Sequence, residues 1–125
     1  MQSLKFLKNF KNLKILVTGS TGFKGSWLSF WLSQLGSKVV GVGLKPENEA
    51  KIFHNLALKQ KIKQYIVDIR KFNHLDRIIK IEKPDAIIHL AAQSIVSDSY
   101  LNPIETFTTN IIGSANILQL TRKYN

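Results

Sequence analysis

The chain contains no cysteine, which excludes disulfides and thiolate chemistry and suits a reducing compartment. Acidic residues are scarce: 8 Asp and Glu stand against 18 Lys and Arg, for a formal net charge of +10. Such an excess points to a polyanion, whether nucleic acid, an acidic membrane surface or a phosphorylated ligand. The lysines are dispersed, with Lys38, Lys59, Lys80 and Lys123 in different segments. There is no tight basic cluster interleaved with aromatics and no zinc-finger or RNP-like pattern, so nucleic acid is not the expected partner. No apolar run approaches the roughly 20 residues of a membrane span. A signal-peptide core is also missing, and the first arginine is Arg70, unlike an arginine-rich mitochondrial presequence. The expectation is a cytoplasmic protein without a membrane partner. His54, His74 and His89 are too far apart in the chain for metal-ligand spacing, so no metal is expected.

Alternating apolar runs and helical stripes are what the chain does have. At 125 residues, 44% hydrophobic and 21% charged, it has the size of one domain or part of a larger one. Strands are expected at Leu13–Thr18, Lys38–Val42, Ile62–Val67 and Ala86–Leu90. Between them lie a helix over Lys24–Leu35 that is apolar on most of its surface, a weakly helical Glu47–Leu58, and a helix capped by Asn73 that runs to about Glu82. A last long helix carries the stripe Ile104, Phe107, Ile111, Ala115 and Leu118. Strands alternating with helices predict an α/β fold with a parallel sheet. Right-handed crossovers then place the first strand centrally, in the order 3-2-1-4.

The chemistry-bearing motif joins the first strand to the first helix: Gly19, Gly22 and Gly25, spaced G-x-x-G-x-x-G. Gly19 permits a tight turn out of the strand, Gly22 lets the backbone approach a pyrophosphate, and Gly25 lets the helix pack closely on the strand. The helix N-terminus adds free N–H groups and a positive dipole. A strand before and a helix after supply the context that a dinucleotide fingerprint requires. Lys24-Gly25-Ser26 is in the wrong order for a P-loop. The fold is therefore read as a doubly wound, Rossmann-type sheet. Four strands are present where about six are usual, so residues 13–125 are read as the N-terminal part of such a domain. Residues 1–12 are a lead-in segment. The first residues alternate lysines with Leu4, Phe6, Leu7 and Phe10, which reads as packing against the domain edge, with a membrane-surface amphipathic helix as the alternative.

Other candidates lie at the strand ends. The second strand ends Gly43-Leu44-Lys45 without the acid that usually holds the adenosine ribose. Lys45 suits either the 2′-phosphate of NADP or a solvated turn, and NAD against NADP stays open. Asp68 suits either the adenine amino group or a role as cap or partner of Arg70. After the fourth strand, His89-Leu90-Ala91-Ala92-Gln93-Ser94 offers small residues at the switch point, where a ligand needs room. His89 by itself reads as a supporting histidine rather than a catalyst, and Ser97, Ser99 and Tyr100 as loop residues.

The segments TGSTGFKGSW, VDIRK, HLAAQSIV and SY…NPIETFTTNIIGS resemble the N-terminal half of an extended short-chain dehydrogenase/reductase, the NAD-dependent epimerase/dehydratase family. Within it they are most similar to the CDP-glucose 4,6-dehydratase group, through Phe23-Lys24-Gly25-Ser26-Trp27 above all. The resemblance implies NAD as cofactor. It implies that Gly19, Gly22, Phe23, Lys24 and Gly25 meet the pyrophosphate and that Asp68 and Ile69 flank the adenine. Leu90, Ala91, Ala92 and Gln93 would line the path to the nicotinamide ribose, and Asn110 would hold its helix against the site. Ser20 departs from a histidine common in the group, and Lys45 stands near where some relatives carry an acid.

The implied chemistry is internal redox on a nucleotide sugar, with oxidation at C4, loss of water across C5–C6 and return of hydride to C6. Relatives use a Tyr-x-x-x-Lys pair, in which the lysine charge lowers the tyrosine pKa. Tyr65 and Tyr100 are each followed four residues later by isoleucine, so no catalytic residue is expected in this chain and it is expected to be inactive alone. The whole parent protein is expected to be a homodimeric lyase with a nucleotide-sugar substrate. The alternatives are another extended reductase, such as a nucleotide-sugar epimerase or GDP-mannose 4,6-dehydratase, and a non-catalytic module with a basic surface.

Overall fold

A computed structural model describes residues 9–46 and 51–124. The first eight residues, with most of the lead-in, and the start of the weakly helical segment at Glu47 lie outside it. The elements in chain order are β1 (Lys14–Thr18), α1 (Phe23–Gln34), β2 (Lys38–Gly43), α2 (Lys51–Asn55), α3 (Leu58–Lys61), β3 (Lys63–Ile66), α4 (Phe72–Glu82), β4 (Ala86–His89), α5 (Val96–Leu101) and α6 (Pro103–Phe107). A π-helical turn over Thr108–Ile112 then leads into α7 (Gly113–Tyr124).

The sheet has the order β3-β2-β1-β4 and every pairing is parallel, as the alternating pattern predicts. Side-chain alternation along β1 sends Leu16 to one face and Ile15 and Val17 to the other. Leu16 joins Val40, Val42, Leu75, Ile79, Ile117 and Leu120 in a cluster formed with α4 and α7. Ile15 and Val17 join Leu32, Val39, Phe53, Leu58 and Ile62 against α1, α2 and α3. The result is a three-layer sandwich with β1 and β2 buried at its centre. The edge strand β4 is only half-buried.

Four local expectations are corrected. Asn73 does not cap α4, which starts one residue earlier after Lys71 and has no side-chain cap. Ser97, Ser99 and Tyr100, expected in a loop, lie on the short helix α5, and the last long helix is divided into α6, the π turn and α7. Its stripe does not face the sheet either: Ile104, Phe107, Ile111 and Leu118 are exposed, while Gly113, Ile117 and Leu120 are buried. Both sets sit at helical spacing, and the second fits the space over β1 because Gly113 leaves room for Ile69. In α1 the buried positions are Gly25, Ser26, Ser29 and Leu32, and Trp27 and Trp31 are about half exposed. Small residues face inward there because the helix runs too close to the loop before it for larger ones.

Candidate cofactor site

That closeness is set by two glycines. Gly19 has φ +72°, and a Cβ on it would lie 2.8 Å from the Ala91 nitrogen and 2.9 Å from the Leu90 carbonyl carbon. Only a glycine allows both the left-handed turn and the contact with the loop after β4. A Cβ on Gly25 would overlap Gly19 O and lie 2.6 Å from Gly19 C. Gly22 differs, since its added Cβ would meet only Gly19 O, at 3.4 Å. Packing therefore demands Gly19 and Gly25, whereas the space over Gly22 is open. α1 begins there without a side-chain cap or an acid in its first turn, leaving its positive end available to an anion.

The loop forms one wall of a cavity of about 260 Å³ at the carboxyl ends of the strands. Gly19, Thr21 and Gly22 come from the loop, Gly43 and Leu44 from the end of β2, and Val67, Asp68, Ile69 and Arg70 from the segment after β3. Ala91, Ala92 and Gln93 follow β4, and Glu105 and Thr109 come from α6 and the π turn. The lining is largely apolar and backbone, with Asp68, Arg70 and Glu105 as its ionisable groups.

Asp68 is committed to Arg70. Arg70 donates from Nε to both carboxylate oxygens at 3.0 Å, from Nη2 to Oδ2 at 2.6 Å, and from its backbone nitrogen to Oδ1 at 2.8 Å. These bonds hold the Asp68 carboxyl below the usual carboxylate range, against the opposing effect of burial. Glu105 lies 3.7 Å from the same guanidinium. Asp68 is thus the partner of Arg70, and its carboxylate also stands at the cavity wall.

The opposite wall is fixed by hydrogen bonds. Asn110 takes both backbone groups of Gln93: Gln93 N donates to Oδ1 at 2.8 Å, and Nδ2 donates to Gln93 O at 2.9 Å. Thr18 Oγ1 accepts from the backbone nitrogens of Leu90 and Ala91 at 3.1 and 3.2 Å. His89 lies between Thr18 and Ser114, and burial pushes its imidazole below the ordinary histidine value.

Gly19, Gly22, Asp68, Ile69, Ala91, Ala92 and Gln93 thus meet at one cavity. Gly25 is buried beneath the loop, Phe23 and Lys24 are exposed on the first turn of α1, Leu90 is 38% exposed, and Asn110 stands behind Gln93. Thr21, Gly43, Leu44, Val67, Arg70, Glu105 and Thr109 also line the cavity. Thr21 and Gly43 were findable as neighbours of the glycine loop and the β2 tip, whereas Glu105 and Thr109 lie in the NPIETFTTN segment that carried the resemblance without being assigned a site role. Among the described residues no group of three or more His, Cys, Asp or Glu is placed to hold a metal. No described helix is long and apolar enough to cross a membrane.

The glycine cradle, the open backbone at Gly22 and the apolar walls fit a dinucleotide. A family model described as GDP-mannose 4,6 dehydratase matches residues 16–125. A CDP-glucose 4,6-dehydratase of Salmonella typhimurium is 40% identical over 93% of this chain and 33% of its own length. The UDP-glucose 4-epimerase of Thermotoga maritima, solved with UDP-glucose, superposes with a TM-score of 0.79 at 32% identity, over 90% of this chain and 35% of that one. The Thermus thermophilus UDP-glucose 4-epimerase in complex with NAD gives 0.78 at 27% identity, over 90% and 34%. The chain spans about a third of the length of these relatives.

Proposed function

Because the chain belongs to the GDP-mannose 4,6 dehydratase family, we propose that it is the NAD-binding portion of a nucleotide-sugar 4,6-dehydratase that acts on CDP-glucose. The observation that carries the reading is the open backbone at Gly22, set between two glycines that packing requires, at the mouth of a cavity at the strand ends. Bound NAD supplies the hydride acceptor and donor for the reaction. Gly19, Gly22, Phe23, Lys24 and Gly25 form the pyrophosphate cradle, through backbone N–H groups and the α1 dipole. Asp68 and Ile69 flank the adenine. Leu90, Ala91, Ala92 and Gln93 line the path to the nicotinamide ribose, and Asn110 holds Gln93 in place.

Among the described residues no tyrosine–lysine pair lines the cavity, and the reading assigns the 125-residue chain NAD binding without turnover of CDP-glucose. The 40% identity to a CDP-glucose 4,6-dehydratase supports the choice of sugar nucleotide. A nucleotide-sugar 4-epimerase is the second reading, favoured by the likeness to the Thermotoga and Thermus enzymes. The parent is read as a cytoplasmic homodimer, with the exposed stripe of α6 and α7 available to the second copy. Calorimetric titration tests the reading, with one saturable site for NAD as the expected result. No heat of binding at millimolar NAD would overturn it. Comparing CDP-glucose with GDP-mannose and UDP-glucose as substrates of the parent protein separates dehydratase from epimerase.

A further inference from the structure

A continuous chain of hydrogen bonds runs behind the cavity. Ser114 Oγ donates to Asn110 O at 2.6 Å, which uses its only hydrogen. At 3.0 Å from His89 Nε2 it therefore accepts, and Nε2 carries the proton. Thr18 Oγ1 lies 2.6 Å from His89 Nδ1. Its lone pairs already serve the N–H groups of Leu90 and Ala91, so its own hydrogen goes to a bare Nδ1. Every hydrogen in the chain then has one place. A second proton on the ring would face Thr18 Oγ1 as a third donor, with no acceptor left for it.

We infer that His89 is a positioning residue: as a neutral imidazole protonated at Nε2, it locks Thr18 on β1 to Ser114 on α7 and so holds both ends of the Leu90–Gln93 segment in the shape the cofactor meets. The cofactor role of that segment rests on the function proposed above. Thr18 fixes its start through Leu90 and Ala91, and Asn110 fixes its end through Gln93. His89 is the link between the two. The neighbours that face the ring from β1 and α7, Thr18 and Ser114, are uncharged. Burial alone depresses its protonation, so the lock is intact at neutral pH and opens as pH falls below the ordinary histidine value of about 6.5. The π turn carries Asn110, and Ser114 follows one turn later, so the lock crosses the one irregular turn of this helical region.

The test is nitrogen NMR of the whole chain labelled uniformly with nitrogen-15, with the His89 ring signals assigned, together with the variants Ser114→Ala and Ser114→Thr. The expected result is a neutral His89 with its proton on Nε2 at pH 7, read on the unaltered protein and so independent of whether any variant folds. Ser114→Ala removes the acceptor, shifts the Ala91 and Gln93 amide signals and weakens NAD binding about tenfold, the scale of one hydrogen bond. Ser114→Thr keeps the hydroxyl and restores both. A proton on Nδ1, a charged ring at pH 7, or unmoved Ala91 and Gln93 amides in Ser114→Ala would overturn the inference. Failure of the unaltered chain to bind NAD would sink the proposed function instead, because the tautomer and amide readings need no cofactor.

Discussion

Arg70 grips the carboxylate of Asp68, two residues away, with three side-chain hydrogen bonds of 2.6–3.0 Å at the wall of the cavity. The pair is partly solvated, so its effect on overall stability is small and its effect on Asp68 is the useful observable. Because the folded carboxyl is held low, the pair stabilises the fold above the ordinary aspartate value of about 3.9. That contribution is lost as pH falls through the depressed value. Arg70→Ala should move the Asp68 titration upward, as followed by carboxyl carbon NMR. An unmoved titration would show that the geometry does not hold in solution.

Two of the loop glycines, Gly25 and Gly22, should fail in different ways. Gly25→Ala drives a methyl into Gly19 and should cost about 3 kcal/mol, the upper range for overpacking. Gly22→Ala meets only an ordinary contact at 3.4 Å and should change stability by less than about 0.5 kcal/mol, while still weakening NAD binding. Urea melts beside NAD titrations separate the two effects. Equal destabilisation by both variants would contradict the open backbone at Gly22.

Glu82 is a buried carboxylate held by Tyr65 Oη at 2.5 Å and Lys63 Nζ at 2.5 Å, with Lys14 Nζ at 3.5 Å. It ties the end of α4 to β1 and β3. Hydrogen bonds from Lys63 and then Tyr65 hold its carboxyl below the usual range. Its stabilisation is therefore present above the ordinary glutamate value of about 4.3 and disappears as pH falls through the lowered one. Glu82→Gln should cost about 1–3 kcal/mol at neutral pH and flatten the melting temperature between about pH 5 and 3, where the unaltered protein falls steeply. A variant that keeps the steep fall would place the acid sensitivity elsewhere.

The strand order and the glycine loop were readable in the chain because strand periodicity and glycine geometry are local. Helix orientation was not. In the last helix two apolar sets share helical spacing, Ile104-Phe107-Ile111 and Gly113-Ile117-Leu120, and only packing over Gly113 chooses the second. In α1 the bulky side chains suggested a buried face, yet Gly25 brings the helix so near the loop that Ser26 and Ser29 are what fit. The partner of Asp68 was one of two readings of a local pattern. His89 gave less, since its meaning depends on Ser114, which is 25 residues further on.

The same ambiguity yields a paired test. Ile104 and Leu118 are 76% and 71% exposed, whereas Leu120 is fully buried. Exposed apolar surface of this extent favours association. The double variant Ile104→Lys with Leu118→Lys should reduce self-association in sedimentation without lowering the melting temperature. Leu120→Ala should cost about 2–5 kcal/mol. Loss of stability in the first variant and none in the second would reverse the assigned faces.

The placement of β1 between β2 and β4 also governs the order in which the chain becomes protected during synthesis. β1 leaves the ribosome well before β4, and Lys14 waits for Asp85, 71 residues later, before its second flank is covered. Closing so long a loop is entropically costly and slow. Until then, a buried central strand of the sheet has one bare edge. A nascent chain halted before Ala86 should therefore be a client for chaperones, and one extended past Leu120, with β4 paired and α7 over the sheet, should be less so.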